Sequence, residues 1–274
     1  MNECYGKKFI LNGELHEADT FDASLVYGGV SVYEVIRMVK GTPLFFHDHM
    51  ERLATSLRLQ GREQLADASL IKRDVIKLLR SDKKKETNIK IVFNFSSERN
   101  SYLIYLIESV YPTEEQYKTG VKGVLYFAER KNPESKVINT KLKSAIYNKL
   151  IHDSAYEALL VNDQNRITEG SRSNIFFLKG DILVTAPEKV ILSGITRKHI
   201  IAICNDNGIL VEYTCVAVDD IDDYEAVFMT GTSPMLLPFY CIDKIKYNVS
   251  HPLMTRLRRL YLEKAEESMK LFRS

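Results

Sequence analysis

The most informative group of side chains surrounds a single carboxylate, Glu169, in the segment Arg166-Ile-Thr-Glu-Gly-Ser-Arg-Ser-Asn-Ile-Phe176. Apolar runs flank it at residues 157–161 and 175–178, and the Gly and Ser residues between them favour a tight turn. Strand, turn, strand is therefore the predicted local structure. A carboxylate fixed on such a turn can hold a cationic partner in one orientation. Taken alone, the residue would more often be a solvated hairpin glutamate, since most glutamates are exposed.

Six short motifs, Glu169 among them, follow one another in a consistent order along the chain. They are Tyr27-Gly-Gly-Val-Ser-Val-Tyr-Glu-Val-Ile-Arg37, His49-Met-Glu-Arg-Leu53, Leu142-Lys-Ser144, Ile167-Thr-Glu-Gly-Ser171, Gly194-Ile-Thr-Arg197 and Thr230-Gly-Thr-Ser233. Together they resemble the class IV (fold type IV) enzymes that use pyridoxal 5′-phosphate (PLP). This family includes branched-chain and D-amino-acid aminotransferases and aminodeoxychorismate lyase. The resemblance extends from about Leu11 to Pro238.

The resemblance implies that Lys143 is the lysine that forms a Schiff base with the cofactor aldehyde. A lysine amine becomes nucleophilic when burial or nearby cations lower its pKa. Lys141, two residues away on a segment expected to be extended, is the competing candidate. Tyr147, one helical turn past Lys143, would reach the ring hydroxyl of the cofactor. Glu169 would face the pyridine nitrogen and keep the ring protonated as an electron sink.

The phosphate of the cofactor requires hydrogen-bond donors. The N–H groups of Ile195 and Thr196 would lie at the start of a helix, which is a natural anion site. Thr232 could add a hydroxyl and a backbone N–H, and Arg52 a guanidinium. The alternatives are a plain helix start and a surface arginine, and the resemblance favours the phosphate roles.

A predicted strand at 32–39 presents Tyr33, Val35 and Arg37 on one face, because side chains alternate along a strand. The resemblance assigns this face to the substrate, with Arg37 holding a carboxylate. A half-buried tyrosine and a surface arginine are the alternative. Arg99 is a loose substitute for an Arg-Gly pattern that is common in the family. The histidines at 47 and 49 lack an evident third ligand, so no metal site is predicted.

Composition limits the classes of protein to which the chain can belong. A net charge of +2 over 274 residues gives no indication of nucleic acid or an anionic membrane surface as partner. The four cysteines are scattered without metal-ligand spacing. They favour a reduced, cytoplasmic compartment. No stretch approaches the roughly 20 apolar residues of a membrane span or the apolar core of a signal peptide.

Periodicity and turn signals predict the elements that position these residues. Strands are expected at 32–39, 89–95, 101–107, 121–128, 209–217 and 225–229; helices are expected at 47–60, 68–80, from after Lys143 to about 153, at 196–205, and from about Pro252. The polar segment 111–120 is the predicted linker. The predicted fold class is α+β. A smaller N-terminal α/β domain (1–116) precedes a larger, β-rich cofactor-binding domain with helices (117–274).

Three functions follow from the resemblance. The first is a PLP-dependent aminotransferase that moves an amino group between an amino acid, branched-chain-like or D, and a 2-oxo acid; the Tyr33-Glu34 pair favours it. The second is an enzyme similar to aminodeoxychorismate lyase, which releases pyruvate. The third is a non-catalytic binding protein that keeps the fold. The family also implies a homodimer.

Overall fold

A computed structural model of the chain describes residues 3–62, 65, 67–97 and 100–273. These residues form two compact units. The first contains the chain up to Val110, Ser135–Ile138 and the chain from Ala265 onward; the second contains Tyr111–Glu134 and Asn139–Lys264. The predicted α+β fold class is confirmed. The predicted domain division at 116/117 stays a prediction, whereas the compact units divide after Val110.

The first unit is built on an antiparallel sheet with helices packed against it. Its elements are β1 (Lys8–Leu11), β2 (Glu14–Glu17), α1 (Ser24–Tyr27), β3 (Val30–Val39), β4 (Thr42–Pro43), α2 (Phe46–Leu59), α3 (Ala68–Ser81), β5 (Thr87–Phe95) and β6 (Asn100–Ile107). Among the described residues, six strands pair in the order β2-β1-β6-β5-β3-β4. The apolar stripes of α2 and α3 pack with one face of this sheet in a common core.

Strand β3 shows the predicted alternation. Glu34, Ile36 and Met38 are fully buried, whereas the residues between them are partly exposed. The strand turns into β4 through Lys40 and Gly41, both with positive φ. Two consecutive positive φ values are typical of the tight hairpin turns that match strand twist.

Helix α2 confirms the prediction for 47–60, and α3 confirms that for 68–80. Gly61 has a φ of 67° and donates its N–H to the carbonyl of Arg58, while Arg62 donates to Leu57. This pair of bonds satisfies two of the last carbonyls of α2. The positive φ explains why glycine is found at residue 61, since glycine adopts this conformation without steric cost. Asp67 caps α3 by accepting from the N–H groups of the first turn.

The second unit contains the larger, mixed sheet. Its elements are α4 (Glu114–Thr119), β7 (Val121–Phe127), α5 (Thr140–His152), β8 (Glu157–Val161), β9 (Ile167–Gly170), β10 (Asn174–Lys179), β11 (Ile182–Thr185), α6 (Ile195–Asp206), β12 (Val211–Tyr213), β13 (Ala226–Gly231), β14 (Met235–Ile242), β15 (Ile245–Lys246) and α7 (Pro252–Arg273). Within the described part of the chain, nine strands pair in the order β12-β11-β10-β13-β14-β7-β8-β9, with β15 beside β14. Helix α7 begins in this unit, and its last residues belong to the first.

Strands β7 and β8 run parallel, and α5 connects them along the chain. A parallel pair needs a crossover of this kind. The apolar side of α5 covers one sheet face, with Ile146 buried against Ala158 and Leu160 of β8. The strand predicted at 209–217 is shorter than expected, because pairing is confined to Val211–Tyr213.

The predicted linker 111–120 contains a helix, α4, which the sequence prediction missed. Thr113 accepts from the N–H of Gln116, and the Gln116 side chain accepts from the N–H of Thr113. This capping box satisfies the first backbone donors and stabilises a short polar helix that lacks an apolar period. No helix among the described residues has the length and apolarity needed to cross a bilayer.

Candidate active site

Glu169 is buried near the end of β9, with only 2% of its surface exposed. One carboxylate oxygen, Oε2, accepts from the backbone N–H of Leu192 at 3.1 Å, and Oε1 lies 3.4 Å from Nη1 of Arg130. Both partners stabilise a negative charge on the carboxylate. The solvated-hairpin interpretation is therefore wrong. Glu169 itself lies on β9, and the predicted tight turn follows it instead of containing it.

Helix α6 begins at Ile195, one residue earlier than predicted, and Gly194 is its N-cap. Glycine has no side chain with which to cap the first turn, and the structure shows no side-chain capping bond there. The first N–H groups of this 12-residue helix therefore form the kind of donor cluster that binds phosphate. Thr196 is buried, and its hydroxyl lies 3.3 Å from that of Tyr261 on α7.

Leu192 connects these two features. Its N–H donates to Glu169, while its carbonyl accepts from Nδ2 of Asn174 at 2.9 Å. The peptide segment from Leu192 to Ile195 spans at most about 11 Å, since each residue extends the chain by no more than ~3.6 Å. The carboxylate and the start of α6 are thus held close together by two buried side chains.

Lys143 lies in the first turn of α5, not before it. The helix begins at Thr140 because the side chain of Asn139 accepts from the N–H of Leu142 at 3.1 Å. The expected extended segment is therefore wrong. Lys141 and Lys143 are both exposed, and they point about 200° apart around the axis at ~3.6 residues per turn.

Tyr147 follows Lys143 by one helical turn, as predicted, and shares its stripe of α5. Its side chain is exposed. Gly170 pairs with Leu159 and Ile167 with Val161, so a bulge places Thr168 and Glu169 together opposite Leu160, on the other face of the sheet from Gly170. That face also carries Ala158 and Leu160, against which α5 packs. We infer that Glu169 and the lysine-bearing helix occupy one face of the sheet.

Thr232 lies in the hairpin between β13 and β14, whose last paired residues are Gly231 and Met235. The hairpin turn is partly exposed, and Met235 has a positive φ of 54°. The structure therefore places Thr232 on a tight turn, as the Thr-Gly-Thr-Ser motif predicts.

In the first unit, Arg52 binds a carboxylate that the sequence did not assign to it. Its Nε donates to Oε1 of Glu34 at 2.8 Å, and its Nη2 donates to Oε2 at 2.7 Å. Nδ1 of His49 lies 2.7 Å from the same Oε2. A bidentate pair of this geometry fixes the plane of the guanidinium. The predicted phosphate role of Arg52 stays a prediction.

In this cluster, burial and the neighbouring charges shift the pKa of each group in opposite directions. Burial raises the pKa of Glu34, but Arg52 and the hydrogen bond from His49 outweigh it, so the pKa lies below its usual range. Burial lowers the pKa of His49, and the opposing effect of Glu34 is smaller. His49 is therefore neutral near neutral pH, with its Nδ1–H donated to Glu34.

Tyr33, Val35 and Arg37 lie on one face of β3 and are partly exposed. The same sheet face carries Lys90 of β5, which pairs with Val35 of β3 and is almost fully buried. Its ammonium is bound to the carboxylate of Glu3 and lies 5.6 Å from the ring centre of Tyr33. Burial raises the pKa of Glu3, but Lys90 outweighs it and the net shift is downward.

Sequence reasoning missed three charged residues that contact the predicted site or share its surface: Arg130, Lys90 and Glu157. A charged residue inside a run of strand formers was the available signal for Lys90 and Glu157, since such residues are rarely buried unless paired. Arg130 lies in a polar loop without any signal. Arg99 lies outside the described residues.

The groups in the second unit fit PLP. A buried carboxylate matches the pyridinium nitrogen, and the uncapped start of α6 matches the phosphate. The lysine that would bind the aldehyde lies on a helix packed against the same sheet. Glu169 would hold the ring, and Ile195 and Thr196 the phosphate.

Comparison with known proteins identifies the family to which the chain is similar. Residues 31–240 match the family model described as amino-transferase class IV. The chain is 27% identical to a D-alanine aminotransferase of Bacillus licheniformis over 255 residues, covering 86% of this chain and 88% of that protein. It is 23% identical to an aminodeoxychorismate lyase of Bacillus subtilis, covering 91% and 89%.

The fold is similar to that of the branched-chain aminotransferase of the thermophilic archaeon Thermoproteus uzoniensis, solved with norvaline. The TM-score is 0.81 at 24% identity, over 97% of this chain and 98% of that one. The family confirms the expectation of an enzyme of this kind, and it implies PLP as the cofactor. Because the family model matches most of the sequence, the chain belongs to the amino-transferase class IV family.

Proposed function

We propose that the protein is a PLP-dependent aminotransferase that moves an amino group between an amino acid, branched-chain-like or D, and a 2-oxo acid. The observation that supports this most directly is the buried carboxylate of Glu169, joined through Leu192 to the uncapped start of α6. That combination provides an anion for the ring nitrogen and donors for the phosphate of one ligand. The relationship to a D-alanine aminotransferase supports the same activity.

When bound, PLP supplies an electron-withdrawing ring that accepts the electron pair released at the substrate α-carbon. In the proposed mechanism, Lys143 would hold the cofactor, and its amine would take the proton from the substrate α-carbon and return it. Glu169 holds a proton on the ring nitrogen. The N–H groups of Ile195 and Thr196 fix the phosphate, and Thr232 and Arg52 add donors to it. Tyr147 contacts the ring hydroxyl.

The proposed substrate face is that of Tyr33, Val35 and Arg37. Tyr33 and Val35 supply apolar contact, and the guanidinium of Arg37 binds a carboxylate. Each methylene that fills an apolar pocket contributes ~0.8 kcal/mol, so we expect modest discrimination among side-chain lengths. Arg37→Gln should weaken a dicarboxylate acceptor more than a monocarboxylate one.

Similarity to an aminodeoxychorismate lyase favours a second candidate, elimination of pyruvate from aminodeoxychorismate. The experiment that separates the two is half-reaction spectroscopy. Leucine, alanine, glutamate and their D-forms are mixed with the PLP-loaded protein, and aminodeoxychorismate is tested in parallel. Conversion of the cofactor to its pyridoxamine form by an amino acid supports the transaminase. Pyruvate release without any such conversion would replace it with the lyase.

The position of the covalent attachment distinguishes Lys143 from Lys141. Borohydride reduction of the loaded protein followed by peptide mass spectrometry should find the cofactor on Lys143. Lys143→Ala should abolish attachment, and Lys141→Ala is the matched control because both lysines are exposed in the same helical turn. An adduct on Lys141 would transfer the role to that residue.

We also propose that the protein is a homodimer in a reducing, cytoplasmic compartment. The family resemblance supports the dimer. The compartment is supported by the scattered spacing of the four cysteines in the sequence. Light scattering that gives a monomer mass at micromolar concentration would contradict the dimer. Cell fractionation tests the compartment.

A further inference from the structure

The second unit contains another carboxylate besides Glu169 that is fully buried, that of Glu157 on β8. Its Oε1 accepts from the N–H of Ala158 at 2.9 Å, and from the N–H and the hydroxyl of Ser171 at 3.1 and 2.5 Å. Its Oε2 accepts from the hydroxyl of Ser173 at 2.9 Å. A buried carboxylate requires such donors, because burying it without them is costly.

All but one of these donors belong to the turn that follows Glu169. Ser171 is two residues beyond Glu169, and Gly170 donates its N–H to the carbonyl of Ser173 at 2.8 Å. Strand β9, which carries Glu169, ends the described strand order of its sheet, beside β8. Because the order ends there, the contacts of Glu157 fix the last part of β9 from the β8 side.

The turn has little room to adopt another arrangement around this carboxylate. A Cβ atom at Gly170 would lie 2.0 Å from Oγ of Ser173 and 3.2 Å from Cδ of Glu157. Glycine is therefore needed where the turn approaches the carboxylate. The backbone from which Glu169 projects is thus set by packing and by hydrogen bonds to a single side chain.

We propose that Glu157 is a positioning residue that acts through Ser171 and Ser173 to aim the carboxylate of Glu169. This inference rests on the proposed function, in which Glu169 faces the ring nitrogen of PLP. Glu157 itself touches neither cofactor nor substrate in this assignment. Its hydrogen bonds, rather than its charge, carry the effect, because its hydrogen-bond partners are hydroxyl and backbone N–H groups. The one charged neighbour, Arg172, is largely exposed, and its Nε lies 3.9 Å from Oε2, beyond hydrogen-bond distance.

The test compares variants that change the hydrogen bonds with variants that change the charge. Glu157→Ala removes every acceptor, whereas Glu157→Gln keeps one oxygen for the N–H groups and offers an amide to Ser173. We expect Glu157→Ala to slow the half-reaction on the order of tenfold, the lower end of what loss of an outer hydrogen-bond partner costs in metal sites. Glu157→Gln should stay within about twofold of the parent protein, which corresponds to ~0.4 kcal/mol.

Asp82→Asn is the matched control. Asp82 is a buried carboxylate that accepts from the backbone N–H groups of Lys7 and Lys84, and it belongs to the first unit. Three quantities are measured for each variant: the unfolding midpoint of the cofactor-free protein, the dissociation constant for PLP, and the half-reaction rate constant. A variant that only loses stability shifts the midpoint and leaves the other two unchanged, as we expect for Asp82→Asn.

A double-mutant cycle with Glu169→Gln isolates the positioning role, because residues that act as a unit give non-additive effects. In the Glu169→Gln background, Glu157→Ala should cause no further loss of half-reaction rate. Additive losses would overturn the inference. If Glu157→Ala does not fold, Ser173→Ala, which removes one donor to Glu157, serves in the same cycle with the same two outcomes.

Failure of this inference can be distinguished from failure of the proposed function. A parent protein that does not bind PLP, or a Glu169→Gln variant with unchanged half-reaction rate, would overturn the proposed function and the inference with it. A parent that binds PLP and depends on Glu169, combined with additive effects of Glu157→Ala, would overturn the inference alone.

Discussion

Glu34 in the first unit and Glu169 in the second are both buried carboxylates near a guanidinium, but the two are held differently. Glu34 contacts Arg52 through two bonds of 2.7 and 2.8 Å, and His49 approaches at 2.7 Å. Glu169 lies 3.4 Å from Arg130 and accepts from a backbone N–H at 3.1 Å.

Short bidentate contacts fix both partners, while a contact near 3.4 Å lies at the limit of hydrogen bonding. We interpret Glu34 as a group that holds α2 against β3, since Arg52 and His49 both lie on that helix. We interpret Glu169 as a group whose geometry suits exchange of a partner. The sequence does not reveal this difference, since it shows only a single acidic residue in a predicted strand for Glu34 and a single acidic residue in a predicted turn for Glu169.

The largest expected effect is on folding of the first unit. Glu34→Gln removes the anion from two basic side chains that are largely buried, and breaking a buried pair costs about 3 kcal/mol or more. Urea unfolding of the cofactor-free protein measures it. Glu17→Gln, which removes an exposed partner of Lys8, should change the free energy by less than ~0.5 kcal/mol. Equal effects of the two variants would contradict the assignment of Glu34.

The second-largest effect should be on the reaction rate rather than on stability, the opposite of what we expect for Glu34. Glu169→Gln should lower the half-reaction rate on the order of 100-fold, about 2.7 kcal/mol, because the ring nitrogen loses its anionic partner. The unfolding free energy should change by less than about 1 kcal/mol, since the amide oxygen can still accept from Leu192. Single-turnover kinetics and urea unfolding measure the two quantities. A near-normal rate would assign Glu169 another role.

A smaller effect concerns His49, the partner of Glu34 whose contribution to the free energy of unfolding depends on pH. The pKa of His49 is lowered in the folded protein, so the unfolded chain binds the proton first as pH falls below 6.5. Stability is therefore lost on acidification, by up to about 1.4 kcal/mol per pH unit. His49→Gln should have a flatter profile of unfolding free energy between pH 7 and 5. Parallel profiles for the two proteins would contradict this.

The smallest expected effect concerns the longer contact. Arg130→Gln should cost about 1 kcal/mol in unfolding free energy, because a 3.4 Å contact contributes less than a short bidentate pair. Arg52→Gln is the matched variant and should cost about 3 kcal/mol. Similar costs for both would show that the distances do not distinguish the two pairs.

Several elements could be predicted because local residues determine them. The β-rich run at 32–39, closed by the turn at 40–43, predicts β3 with Glu34, Ile36 and Met38 on one face, and the structure confirms that this face is buried. The apolar stripe of α2 and the glycine after it predict a helix that ends near residue 60. The spacing of apolar residues and the presence of a helix-ending glycine are properties of a short segment, so they can be read without the tertiary structure.

Other features were missed because they depend on helix-capping residues, whose signal in the sequence is weaker than that of apolar spacing. Asn139 moves the start of α5 forward, which places Lys143 inside the helix. The capping box of Thr113 and Gln116 forms α4 in a segment without apolar periodicity. Capping bonds contribute only about 1 kcal/mol each, so sequence patterns built on apolar spacing underestimate them.

The sequence by itself determined the family, the α+β class and the candidate carboxylate, because six motifs occur in order and each depends on residue type. Tertiary structure alone decided the partners: Glu34 with Arg52, Glu169 with Arg130 and Leu192, and Glu157 with Ser171 and Ser173. These pairs join residues 14 to 39 positions apart. Their selection depends on strand register and burial, which fix the distance between charges and the cost of leaving one unpaired.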